Sequence, residues 1–195
     1  SAVEISKVDK NMNPIAGTEE IVECDALILS VGLIPENELA ENLGVKIDPR
    51  TKGPVCNAQL MTDVDGVFSC GNALHVNDLV DYVSESGEIA GENAAKYVKR
   101  ERREIQINAT NALLYAVPER LDLSADNSET IIYFRSREIL DKCTFTITAD
   151  GNEIFRKKYP FLRPPEMEKL VIDFNKFGLT ETSEIKLDIE VNEDA

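Results

Sequence analysis

The side-chain pattern changes once, at Glu101-Arg102-Arg103-Glu104, and that change limits the architectures open to this chain. Beyond it no stretch has convincing helical spacing. Short segments alternate apolar and polar residues instead, at 112–117, 130–135, 143–149, 153–158, 170–174 and 184–191. Period-two alternation marks strands with one face in a core. Asp150-Gly151-Asn152 supplies a hairpin turn between two of them. About six or seven strands at this spacing predict an all-β sandwich of immunoglobulin-like build over 104–195.

Residues 1–103 read differently. Segments 2–8 and 19–23 predict a half-exposed hairpin around a turn that contains Asn13-Pro14 and Gly17. The run from Asp25 through Leu27, Ile28 and Leu29 to Gly32 is short and almost unbroken in apolar residues, which predicts a strand buried on both faces of a parallel sheet. A short helix is expected over 36–43, closed by Gly44, and a brief strand over 67–70. The best helix begins between Asp78 and Ser84 and runs to about Arg100. Val83, Gly87, Ala90, Gly91, Ala94 and Val98 share one of its faces, and four of those six are Gly or Ala. So small a face admits close backbone approach, at a helix-propensity cost of about 1 kcal/mol per glycine. The expected architecture is therefore an α/β part, 1–103, followed by the β-sandwich.

A net charge of −15 excludes nucleic acid, whose phosphates need Lys and Arg to displace counterions, and argues against an anionic membrane surface. The acids are spread along the chain, which suits solubility. No run of about 18 apolar residues is present, so no membrane span is expected, and no secretory leader is legible at the N-terminus. Cys24, Cys56, Cys70 and Cys143 form no C-x-x-C pair, so thiols in a reducing cytoplasm are the ordinary reading.

The chemistry concentrates in Thr62-Asp63-Val64-Asp65-Gly66-Val67-Phe68-Ser69-Cys70-Gly71-Asn72. A turn feeds a four-residue apolar strand that stops at a glycine followed by a carboxamide. Ligands of α/β sheets bind just beyond the carboxyl ends of strands, where Gly71 would admit close approach and Asn72 would offer hydrogen bonds. A strand-to-loop turn with nothing bound fits the spacing equally well.

This segment resembles the second FAD motif of the pyridine nucleotide-disulfide oxidoreductase family, in which a threonine opens the motif and a Gly-Asp pair closes it. Thr62, Gly66, Val67, Phe68 and Gly71 fit, while Asn72 stands where the family has the acid that hydrogen-bonds the ribityl chain. The resemblance implies FAD and NAD(P) as cofactors, and an oxidoreductase in which NAD(P)H reduces FAD and electrons pass on to an unknown acceptor. It implies that Ser30, Val31 and Gly32 line the crossover between two Rossmann-like dinucleotide-binding domains, and that Val83 and Ser84 face the flavin at a helix N-terminus. The stretch from Leu74 to Asp81 is similar to a subgroup found alongside FAD-dependent glycerol-3-phosphate dehydrogenases, which would make such a dehydrogenase subunit the partner. No two glycines are separated by one residue, so neither G-x-G-x-x-G loop is present. The chain is thus expected to be a C-terminal fragment that holds no FAD alone and that associates with a second copy through residues 1–100.

Other residues carry weaker signals. His75, the single histidine, is either a proton donor beside the flavin or a structural loop residue. The paired acids Asp78 and Asp81 are candidate general acids but read first as helix caps, and Arg135, Arg137 and 156–158 read as solvated strand faces. The competing function is a non-catalytic module whose sandwich docks a partner protein, with 160–165 as one candidate edge.

Overall fold

The computed structural model describes residues 1–30 and 32–192. The chain divides into two compact units, one ending at Gly32 and the other beginning at Leu33, each described by itself.

The first unit is a hairpin. Strands β1 (Ala2–Ile5) and β2 (Glu20–Glu23) run antiparallel, with Ala2 opposite Glu23 and Ile5 opposite Glu20. Asp9 shapes the connection, its carboxylate accepting the N–H groups of Asn11 at 2.8 Å and Asn13 at 2.9 Å. The expected strand over 25–32 is corrected here: no described residue of that run is in a strand, and Leu27, Ile28 and Leu29 are 60%, 90% and 72% exposed. A strand buried on both faces exists only between neighbours, and none of the described strands pairs with it.

In the second unit, helices α1 (Glu38–Asn42), α2 (Gly71–Leu74) and α3 (Val80–Ala95) precede eight strands. These are β3 (Glu104–Ala109), β4 (Leu113–Val117), β5 (Arg120–Asp122), β6 (Thr130–Ser136), β7 (Leu140–Ala149), β8 (Asn152–Leu162), β9 (Glu168–Ile172) and β10 (Ile185–Val191). They form a five-stranded sheet ordered β5-β3-β10-β7-β8 and a three-stranded sheet ordered β4-β6-β9. All pairings are antiparallel except β10 with β3.

Alternation explains the core between the sheets. Ile105, Ile107, Phe145, Ile147, Ile185 and Leu187 face inward from the large sheet, against Leu113, Ala116, Ile132, Phe134, Leu170 and Ile172 from the small one. Phe134 stacks on Phe145 with ring centroids 4.4 Å apart. Leu113 and Ala116 are three residues apart, an odd spacing that would face them oppositely in a regular strand. The register shift between Leu113 and Tyr115 turns both inward.

Each of the six expected strands is present, with ends moved by a few residues. Strands β3 and β5 were not expected. In β3, Ile105 and Ile107 alternate clearly, but they follow the charged tetrad, and β5 is only three residues long.

The small sheet also has an outer layer. Tyr115 and Val117 turn away from the main core and join Cys56, Leu60, Leu74 and Ala90 in a second cluster. The change at residue 103 therefore separates types of secondary structure, while contacts run across it. Cys56 and Glu119 exchange hydrogen bonds, and Arg120 donates to the Val55 carbonyl at 3.2 Å.

The Phe134–Phe145 stack sets an expected stability ranking. Phe134→Ala should lower unfolding free energy by about 3–5 kcal/mol, whereas Phe161→Ala, at a side chain 47% exposed, should cost about 1 kcal/mol or less. Urea denaturation of the two variants checks it.

Candidate functional site

Thr62 opens the candidate site and is fully buried. Its hydroxyl accepts from the Val64 N–H and donates to the Val64 carbonyl, both at 3.2 Å, so the side chain is spent on its own turn. The Thr62 N–H donates to the Val67 carbonyl at 2.8 Å, and Ser69 donates to Leu60 at 3.0 Å. The expected strand at 67–70 is thereby reduced to an isolated bridge between Phe68 and Met61.

After Cys70 the chain enters α2 through Gly71, whose φ is +61°. A Cβ there would lie 3.1 Å from Val83 Cγ1, in a backbone conformation that already disfavours L side chains. The Gly71 N–H donates to Ser86 Oγ at 2.8 Å, and that hydroxyl donates on to the Val83 carbonyl. Gly71 is thus fastened to the first half of α3.

Asn72 follows, half-buried. Its Oδ1 accepts the Asn77 N–H at 3.1 Å, while no described residue accepts from its Nδ2. The carboxamide is held by its oxygen and presents a free donor. Behind it is a backbone junction. Asn37 donates to the carbonyls of Lys52 at 2.9 Å and Ala73 at 2.8 Å, and a Cβ on Gly53 would fall 1.6 Å from the Leu74 carbonyl oxygen. A cavity of about 510 Å³ opens beside this junction, lined by Asn37, Leu39, Leu43, Phe68, Cys70 and Ala73. A second, of about 630 Å³, is lined by α3, by residues 57–61, and by the loop before β6 together with the start of that strand.

Helix α3 begins at Val80 with Leu79 as a cap that offers no side-chain hydrogen bond. The helix N–H groups lacking an intrahelical acceptor therefore fall around Val80 and Asp81, one turn ahead of Val83 and Ser84. Val83 presses on Gly71 and Ser84 is exposed. Of the expected small face only Ala90 is buried. A Cβ at Gly87 or Gly91 would meet nothing within 4 Å.

The expected cap at Asp78 is corrected, as is the solvated face at Arg135. Arg135 is buried, and Asp78 binds it at 2.5 Å while accepting the Met167 N–H at 2.6 Å. Arg137 is exposed and donates to the carbonyls of Asn111 and Leu113. Glu85 takes the Tyr133 hydroxyl at 2.6 Å and is paired with Lys169 at 2.5 Å. Sequence reasoning missed Asn77, Tyr133 and Lys169; none stands at a spacing that could have marked it.

Thr62, Gly71, Asn72, His75, Val83 and Ser84 all lie in the second unit. Ser30 and Gly32 lie at the exposed end of the first, and Val31 is outside the described residues.

His75 is 1% exposed, with its ring centroid 5.9 Å from that of Tyr115 and 5.2 Å from that of Tyr133. Burial, reinforced by the positive charge of Arg135, pushes its pKa down to about 4. The ring is neutral near pH 7 and packed among aromatics, an environment that favours the loop-structural reading over proton donation. Glu119 moves the opposite way. Burial pushes its carboxyl up to about 7, against the pull of the Cys56 N–H bonded to it at 3.0 Å.

Residues 1–87 match the sequence model of the pyridine nucleotide-disulphide oxidoreductases. This stretch, 87 of the 195 residues, is similar to that family. Thioredoxin reductase of Listeria monocytogenes is 28% identical over 102 residues, which cover 51% of this chain and 31% of the relative. The Listeria innocua thioredoxin reductase is 26% identical over the same coverage. The aligned residues thus span about a third of the length of these relatives. No solved structure matches. The family is one of dinucleotide-binding oxidoreductases, and its matched stretch includes Thr62, Gly71, Asn72, His75, Val83 and Ser84. No helix among the described residues is long and apolar enough to cross a membrane.

The two shifted groups make opposite pH dependences. His75 titrates near 6.5 when unfolded and near 4 when folded, so stability falls as pH drops from about 6.5 to 4. Glu119 titrates near 4.5 unfolded and near 7 folded, so stability falls as pH rises from about 4.5 to 7. Each effect is on the order of 3 kcal/mol, and they oppose one another between pH 4.5 and 6.5. Glu119→Gln keeps an acceptor for Cys56 and removes one slope. Its denaturation midpoint should therefore climb more steeply with pH across that window than the parent's.

Proposed function

We propose that the chain is the C-terminal part of a flavoprotein in which NAD(P)H reduces FAD, with electrons passing on to a separate acceptor. FAD supplies the hydride-accepting and electron-passing chemistry when bound. Asn72 carries the reading. It lies within the stretch matched to the family, one residue past a left-handed glycine, with its Oδ1 anchored and its Nδ2 free. That donor set suits a polyhydroxylated chain such as ribityl, whose hydroxyl oxygens accept hydrogen bonds.

The neighbouring residues have roles that follow from the same geometry. Gly71 keeps side-chain bulk out of the approach to Asn72. The uncapped start of α3 presents N–H groups and the positive end of the helix dipole, an environment that favours an electron-rich edge. Ser30 and Gly32 belong to the crossover segment in this reading. The two β-sheets are read as an immunoglobulin-like sandwich, supported by their shared core. The acceptor is an electron-carrying protein or a partner dehydrogenase subunit, in line with the subgroup that the stretch from Leu74 to Asp81 resembles.

Two outcomes are expected. The chain by itself, lacking a Gly-x-Gly turn to receive a pyrophosphate, should emerge from gel filtration without flavin absorbance. In the longer flavoprotein, Asn72→Leu should weaken FAD binding by about 1–3 kcal/mol, measured by flavin fluorescence titration. Unaltered retention in that variant would remove Asn72 from the cofactor site.

A further inference from the structure

Arg135 projects from the outer face of the small sheet, and its side chain is only 10% exposed. Nε donates to the Tyr115 hydroxyl at 2.8 Å and Nη1 to the Pro165 carbonyl. Nη2 reaches the Asp78 carboxylate at 2.5 Å and the Val76 carbonyl at 3.3 Å. The other oxygen of Asp78 accepts the Met167 N–H. One guanidinium therefore grips both residues that flank Asn77, the residue whose N–H fixes Asn72 Oδ1. Asn77 itself closes the turn by donating from Nδ2 to the His75 carbonyl at 2.9 Å. The same strand adds the Tyr133 hydroxyl on Glu85, one turn into α3.

We propose that Arg135 is a positioning residue for Asn72: from the β-sandwich it locks the turn from Val76 to Asp78, and through the Asn77 N–H it sets the direction in which the Asn72 carboxamide presents its donor. This rests on the reading of Asn72 as an FAD contact. It gives the β-rich part of the chain a task at the cofactor site that the matched stretch alone does not contain.

A planar fork with five donors makes this arrangement, and an ammonium does not reproduce it. Arg135→Lys retains the charge beside Asp78 and loses the simultaneous grip on Val76, Tyr115 and Pro165. Arg135→Met removes both. Arg137→Met deletes one charge from the exposed neighbour and serves as the control.

Hydrogen exchange on this chain tests the lock. At a temperature where circular dichroism shows all variants folded, the Asn77 amide should exchange about ten-fold faster in Arg135→Met and to a lesser degree in Arg135→Lys. The Leu187 amide in β10 should be unchanged in both, and Arg137→Met should match the parent. Equal Asn77 rates in parent and Arg135→Met, or equal acceleration at Leu187, would overturn the proposal.

Cofactor binding in the longer flavoprotein tests the consequence. Arg135→Met should raise the FAD dissociation constant about ten-fold with Asn72 in place and less than two-fold in an Asn72→Leu background. The same fold-change in both backgrounds means that Arg135 acts by another route and overturns the inference. If Asn72→Leu alone leaves FAD binding intact, the cofactor reading fails, while the exchange rates still decide whether the lock exists.

Discussion

Strand β6 is buried on both faces, and most of the second unit is organised around that fact. Ile132 and Phe134 face the five-stranded sheet, while Tyr133 and Arg135 face the segment that carries α2 and α3. A strand so placed must satisfy two chemistries at alternate residues. One side is apolar and stacked. The other is polar, and every group on it needs a partner, because burial without one costs about 1–3 kcal/mol. Tyr133 meets Glu85, and Arg135 meets Asp78 together with the Tyr115 hydroxyl and two backbone carbonyls. The position of Asn72 is inherited from these pairings.

A second polar seam joins the same parts further along. Glu104 accepts from Arg102, Arg120 and Asn57, and Arg102 continues to the carbonyls of Thr62 and Asp63. Such an arrangement adds modest net stability, since the attraction between buried charges is offset by their desolvation. Its directional bonds instead define register. Through these bonds the loop from Val55 to Asp63 is tied to both Glu104 of β3 and Arg120 of β5.

The two sheets were legible in the sequence because short runs of strand-forming apolar residues, bounded by turn and charged residues, mark β4, β6, β7, β8, β9 and β10. Strand β3 had the same signal but followed four charged residues, and charge density outweighed periodicity in the reading. The 25–32 and 67–70 segments show the reverse failure. Their apolar runs predict strands, but strand formation is a property of pairs, and no described strand neighbours either. At the candidate site, Gly71-Asn72 stands out in the sequence through its motif. Arg135 does not. It sits beside Arg137 at alternate spacing, one buried and the other exposed, and nothing local distinguishes them. The difference comes from Asp78, 57 residues away.

Gly53 has a further consequence. Its α-carbon touches the Leu74 carbonyl so closely that no side chain of any size can be accommodated without separating two backbone segments. Most surface positions of a protein drift freely among residue types, and most core positions drift among apolar ones. Position 53 has a repertoire of one. Any lineage that retains this junction behind Asn72 must retain that glycine, whatever becomes of the side chains around it. A descendant with another residue there must have rebuilt the turn.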